Sequence, residues 1–169
     1  MKKVLLLALI SFALSANSFA QKYAFIDVEY ILSNMPEYSQ AQKKIDDLAE
    51  TYQSEVKAKY SDIDKKTSEL KKEEMILPAA AIQKRQQEIE QLKIEAQQLQ
   101  QKRFGVNGDL FKKRQELIEP IQTKIFKEVK SMCDDKGYDF VLDKGKQSNI
   151  IFVNAKYDKS DYIIKKLKE

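Results

Sequence analysis

The sequence predicts an α+β protein that is predominantly α, in which a long antiparallel coiled-coil hairpin, or tentacle, projects from a small β-containing oligomerisation body. Apolar residues step by three and four through most of residues 37–119, as a helical seam requires. No Gly or Pro occurs from Glu37 to Leu77, so nothing breaks the first arm. Short runs of aromatic and β-branched residues lie outside that stretch, near the two ends of the chain.

Residues 1–20 have the form of a secretory signal. Lys2 and Lys3 precede an apolar run from Val4 to Leu14, and Ser18-Phe19-Ala20 offers small residues where a signal peptidase cuts. The run is shorter than the ~20 residues that span a bilayer, so cleavage after Ala20 is expected, with no stable membrane insertion. Without Lys2 and Lys3 the chain keeps 28 basic and 26 acidic residues. Along the arms the two signs alternate, as in Lys43-Lys44 beside Asp46-Asp47, whereas a nucleic-acid binder needs a one-signed stripe. No nucleic-acid partner is expected.

Tyr23 to Val28 predicts a strand, and Asp27 to Leu32 a short helical turn ending near Asn34, before Met35-Pro36. Tyr38, Ala41, Ile45, Leu48 and Tyr52 open the seam of the first arm. Val56, Tyr60, Ile63, Thr67 and Leu70 continue it with extra steps of four that relax the supercoil. At 1.5 Å per residue the arm is roughly 60 Å long. Pro78 is the turning point, with the tip near residues 75–79. Ile82, Ile89, Leu92, Ala96, Leu99, Val106 and Leu110 keep the frame on the return, with Arg85 and Arg103 as polar exceptions. Gly105 and Gly108 bracket Val106-Asn107 and should weaken or kink this arm, which makes them a candidate hinge. A fold-back between Leu77 and Pro78 sets Pro36 opposite Glu119-Pro120. The prolines therefore bound the hairpin at residues 37–119, leaving residues 21–36 and 120–169 as the body.

Leu117, Ile121, Ile125, Val129 and Met132 carry an apolar stripe to Gly137, a helix cap. Tyr138 to Asp143 predicts a second strand and Ile150 to Val153 a third, joined in a hairpin by the polar turn containing Gly145. Asp158 or Ser160 can cap a final helix with Tyr162, Ile163, Ile164 and Leu167 on its apolar side. Three short strands make a poor core alone and leave edges that call for intermolecular pairing. Candidate oligomerisation residues are Tyr23, Phe25, Ile26, Val28, Phe140, Val141, Ile150 and Phe152.

An enzyme finds little here. The chain has no His, and its single cysteine, Cys133, excludes an intramolecular disulfide and fits a small buried apolar residue. Asp27, Glu29, Asp139 and Asp143 lack a nucleophile, metal cage or phosphate-binding loop beside them. No cofactor, no metal and no catalytic residue are expected.

The chain resembles the Skp (OmpH-like) family of periplasmic chaperones. The resemblance rests on Ala24-Phe25-Ile26-Asp27-Val28 after a signal, on Met35-Pro36-Glu37 opening a long helix, and on Arg114 to Ile121 closing the return helix. Tyr138 to Asp143 and the ending from Tyr157-Asp158 to Leu167 match as well. It implies a periplasmic homotrimer with a joint β-core and three tentacles around a cavity. It also implies ATP-independent holding of unfolded outer-membrane β-barrel proteins in transit. The candidate client-binding residues are then the tip Met75-Ile76-Leu77, apolar where solvent is expected, and Tyr52, Val56 and Tyr60, which ordinary seam packing also explains. An envelope coiled-coil scaffold or spacer without chaperone activity is the alternative reading.

Overall fold

The computed structural model describes residues 21–145 and 149–169. Its elements are β1 (Tyr23–Ile26), α1 (Val28–Ser33), α2 (Pro36–Glu73), α3 (Ala79–Phe104), α4 (Asp109–Lys136), β2 (Phe140–Asp143), a 3-10 turn (Ala155–Tyr157) and α5 (Ser160–Leu167). They divide into two compact units: residues 32–124, and the two chain ends up to Ile31 and from Ile125 onward. The signal expected over residues 1–20 lies outside the described residues.

The helical unit is built on α2, which runs 38 residues from Pro36 in its first turn. Met35 before it is extended (φ −100°, ψ 116°), as a residue preceding proline must be. Ala41, Ile45, Val56, Ile63 and Leu70 are its buried face, answered by Ile89 and Ala96 of α3. Ile63, Leu70, Ile89 and Ala96 form one cluster, with Leu77, Ile82 and Leu92 packed against it. Ala96, fully buried and no bulkier than a methyl, allows the α2 and α3 backbones to approach closely there. The chain reverses between Glu73 and Ala79. Ile76 and Leu77 N–H groups donate to Glu73 O at 3.0 and 3.1 Å, closing α2, while Pro78 stands at the N-cap of α3 and accepts from Ala81 N at 2.9 Å.

The return arm differs from the expected kinked helix: it is two helices. α3 stops at Phe104 and α4 starts at Asp109 because Gly105 is extended (ψ 172°) and Asn107 is left-handed (φ 62°), neither of which an α-helix accommodates. The turn is closed by Gly108 N donating to Gly105 O at 2.8 Å. Both glycines are required by close approach: a Cβ on Gly105 would sit 2.3 Å from Gln101 O, and one on Gly108 2.8 Å from Lys102 O. Val106, expected in the seam, is exposed at the apex of this turn.

In the other unit β1 and β2 form a two-stranded parallel sheet with Tyr23 opposite Phe140 and Ile26 opposite Asp143. Alternation along β1 buries Ala24 and Ile26 and turns Tyr23 and Phe25 to the opposite face. The ladder extends beyond both ends, with Asp139 N donating to Lys22 O at 2.8 Å and Lys144 N to Ile26 O at 2.7 Å. α4 ends at Gly137, whose φ of 65° and N–H bond to Cys133 O make it a left-handed cap.

The expected hairpin between a second and a third strand is not formed. Residues 150–153 are not a strand, and β2 pairs with β1 instead. The residue types that mark a strand show that a segment fits a pleated surface, not which strand it joins. Further along, Asp158 bridges Phe25, and Lys159 N–H donates to Phe25 O at 2.8 Å. Asp158 then caps α5 by accepting from Ser160 N at 2.9 Å, and Ile163 and Ile164 of α5 are buried.

Candidate functional site

At the turn between α2 and α3, three consecutive apolar residues are sorted by the geometry of the chain. Leu77 faces the seam and is half-buried against the core cluster. Met75 and Ile76 point out, 95% and 81% exposed. Only one of three successive side chains can follow the seam as the backbone reverses, so the other two are presented to solvent. Glu73 braces the turn from behind by accepting from Arg85 Nη1 at 2.7 Å, which gives a role to one of the two arginines that interrupt the apolar frame. Lys71, Lys72 and Glu74 surround the pair with charge and keep a small apolar patch soluble.

The other candidates along the arm are placed differently. Val56 is buried in the seam of α2, so a partner reaches it only if the helices part. Tyr60 is on the surface, with its hydroxyl donating to Gln100 Oε1 at 3.3 Å. Tyr52 is half-buried in a cluster that the sequence pattern does not reveal. The Arg103 guanidinium lies 4.3 Å above the Tyr52 ring, while Phe104 meets the same ring edge-on at 6.3 Å. Arg103 also binds Glu55 of α2 through Nη2 at 2.9 Å and Asp109 of α4 through Nη1 at 2.5 Å. Asp109 raises the guanidinium pKa above its ordinary range; partial desolvation opposes this and Glu55 adds to it. One side chain therefore ties together the three helices that meet at the Gly105–Gly108 turn. The signal available in the sequence was a basic residue on the seam frame with acidic residues at the matching height.

Beside this unit's helices lie open hollows, one of about 530 Å³ lined by Lys66, Lys84, Gln87, Glu88, Gln91 and Leu92. Flexible, solvated side-chain ends of this kind do not make an enclosed ligand site.

In the sheet-containing unit, Tyr23 gathers the aromatic candidates. Its ring stacks on Phe140 at 6.0 Å and on Tyr157 at 5.1 Å, and meets Phe25 edge-on at 5.8 Å. Phe140 and Leu142 of β2 are exposed, as are Ile151 and Phe152 beyond it. Val141 and Ile150 are half-buried. Ile26 is buried within its own chain, and Val28 is the first residue of α1, not of the strand. Sequence reasoning missed Tyr157 and Leu142 here. Tyr157 lies in the 3-10 turn that the polar stretch before the last helix conceals.

Of the carboxylates that resemble a cluster in the sequence, Asp27, Asp139 and Asp143 are occupied by backbone donors. Asp27 accepts from Tyr30 N at 2.9 Å and caps α1, Asp139 accepts from Lys22 N at 2.7 Å, and Asp143 accepts from Gly145 N at 2.9 Å. Buried Ser160 accepts from Asp27 N at 2.8 Å and donates to Asp158 at 2.6 Å, and Asp158 also pairs with Lys144 at 3.1 Å. Burial pushes the Asp158 carboxyl up, but the hydrogen bonds from Ser160 and Lys144 outweigh it and hold the group below its usual range. Burial raises the Cys133 thiol, which leaves little nucleophilic thiolate. Among the described residues no group of His, Cys, Asp and Glu is arranged to hold a metal, and no helix is long and apolar enough to cross a membrane.

The described residues thus form a long helical pair ending in exposed apolar side chains and a second unit whose sheet face is largely aromatic. The model of the family of OmpH-like outer membrane proteins matches residues 22–167, and the chain belongs to that family. No curated protein matches it. Six chains among the solved structures match. One is an OmpH-like protein of Caulobacter crescentus CB15, described as a candidate outer membrane chaperone. It agrees with a TM-score of 0.70 over 89% of this chain and 86% of that one, at 9% sequence identity, a likeness that shows the fold.

Proposed function

We propose that the protein is an ATP-independent periplasmic holdase, exported through a signal cleaved after Ala20, that keeps unfolded outer-membrane β-barrel proteins from aggregating. The observation that carries this reading is the pair Met75 and Ile76, left outside a sealed seam at the end of the α2–α3 hairpin. Fully burying such side chains is worth about 1.5–3 kcal/mol each, before the cost of ordering the partner. A grip of that size is releasable without ATP, and several hairpins acting together raise it through effective concentration. A homotrimer supplies them: Tyr23, Phe140 and Phe152 offer aromatic surface for assembly, and the free edge of a short strand such as β2 can take a strand from another copy. The protein has no catalytic role in this reading.

Dilution of a denatured outer-membrane barrel protein from urea, with light scattering followed in time, tests the proposal. The protein is expected to suppress aggregation at stoichiometric amounts without nucleotide. No suppression, together with tight binding to one folded envelope protein, contradicts the proposal and identifies a scaffold.

A further inference from the structure

We infer that Met75 is a selective oxidation site, at which peroxide or hypohalous acid converts the hairpin turn from an apolar contact into a polar one. The chain has four methionines, of which Met35, Met75 and Met132 are among the described residues. Met35 and Met132 are 6% and 1% exposed, whereas Met75 is 95% exposed and the next residue, Ile76, is open as well. An oxidant that must reach sulfur through solvent therefore meets one thioether far ahead of the others.

The competing sulfur is weak. The Cys133 thiol is partly covered, and burial favours its protonated form over the thiolate that oxidants attack.

The chemistry with hydrogen peroxide balances without a cofactor. A sulfur lone pair attacks one peroxide oxygen, the S–O bond forms as the O–O bond breaks, and the departing hydroxide takes the proton of the sulfur-bound hydroxyl to become water. Sulfur loses two electrons and the peroxide gains them. The product is methionine sulfoxide, polar, chiral and reducible by sulfoxide reductases.

Backbone and seam should be indifferent to this change, because the turn is anchored by Leu77 in the core cluster and by the Glu73 carbonyl, not by Met75. What changes is the patch itself. A sulfoxide beside Ile76 makes one of the two exposed side chains at the turn polar and adds a strong hydrogen-bond acceptor. The consequence for holding rests on the proposed function; the selectivity of the site does not.

The experiment titrates the purified protein with hydrogen peroxide and reads each methionine by peptide mass mapping. Met75 is expected to oxidise at least about ten-fold faster than Met35 and Met132, with the rates converging in urea. Comparable rates in the native protein overturn the site. The same samples then enter the barrel-protein aggregation assay, with circular dichroism as the check on folding. Oxidised protein should be needed at about five-fold higher concentration. Untreated Met75→Gln should behave alike, and Met75→Leu should lose nothing further on peroxide treatment. Full retention of holding after complete oxidation of Met75 overturns the switch. If untreated protein holds nothing, the proposed function fails and the switch with it, while the peptide map still decides the site.

Discussion

At the scale of single residues, much of the chemistry in this chain is structural. Asp158 is the clearest case: it caps α5 through Ser160 and pairs with Lys144, so its pKa is depressed despite partial burial. A depressed folded-state pKa gives stability that is present above the unfolded value near ~3.9 and is lost as pH falls through the folded one. Lys144 has the opposite sign: its pKa is raised, first by the hydrogen bond to Asp158, so its contribution holds at lower pH and disappears as pH rises through its folded value. Asp158→Asn keeps acceptors for Ser160 but removes the charge. The variant is expected to be less stable than the parent at neutral pH, with the difference shrinking as pH falls through the depressed folded-state value of Asp158, as urea unfolding at several pH values will show. Gly137 gives a second test. At φ 65° with open space around it, Gly137→Ala should cost about 1–2 kcal/mol through backbone strain alone, read from the same unfolding curves. The cap at Gly137 was legible in the sequence, and for α5 the sequence left Asp158 and Ser160 as alternatives, since polar residues before an apolar helix and a glycine after one have few other uses. The aromatic grouping around Tyr23 was not, because it joins residues more than a hundred positions apart.

At the scale of elements, the seam was legible and its interruption only in part. Ile45, Ile63, Leu70, Ile89 and Ala96 are buried as their three-four spacing requires, because a helical period fixes which face an apolar stripe occupies. Ala96 has no room to grow: Ala96→Leu is expected to cost about 1–3 kcal/mol by overpacking, measured by thermal unfolding. The Gly105–Gly108 segment showed in the sequence as a weak point, yet its extended Gly105 and left-handed Asn107 end the helix outright, and helix propensity alone does not predict a left-handed residue. Arg103 spans this turn through Glu55, Asp109 and the Tyr52 ring. Arg103→Ala removes both carboxylate partners and the Tyr52 contact, and should speed hydrogen exchange at residues 100–112 while leaving the amides around Leu70 and Ile89 protected. Uniform exchange along α2 and α3 would show that Arg103 has no local role. The misplaced third strand has a different cause. Ile150–Val153 has strand chemistry, but the register of a sheet is set by which edges are free, and β1 offers its edges to β2 and to Asp158–Lys159.

At the scale of the whole molecule, the succession of strand, long helical hairpin and terminal helix was readable because each transition is marked by a change of period or by proline and glycine, although only one of the two strands expected before the last helix is formed. The family match spans residues 22–167, and the solved OmpH-like structure shares the fold. Function is further from the sequence. The proposed function rests on which apolar groups the fold leaves uncovered, and hydropathy alone cannot separate Met75 and Ile76 in solvent from Leu77 in the seam. In the proposed function the short sheet and its exposed aromatic residues are covered by other copies of the chain, and the apolar turn is covered by an unfolded client. Absolute mass by light scattering, on the processed protein alone and after adding an unfolded barrel protein, addresses both requirements in one sample. A trimer that takes up the barrel protein into a soluble complex of defined mass is the predicted result. A stable monomer beside a precipitating barrel protein would contradict it.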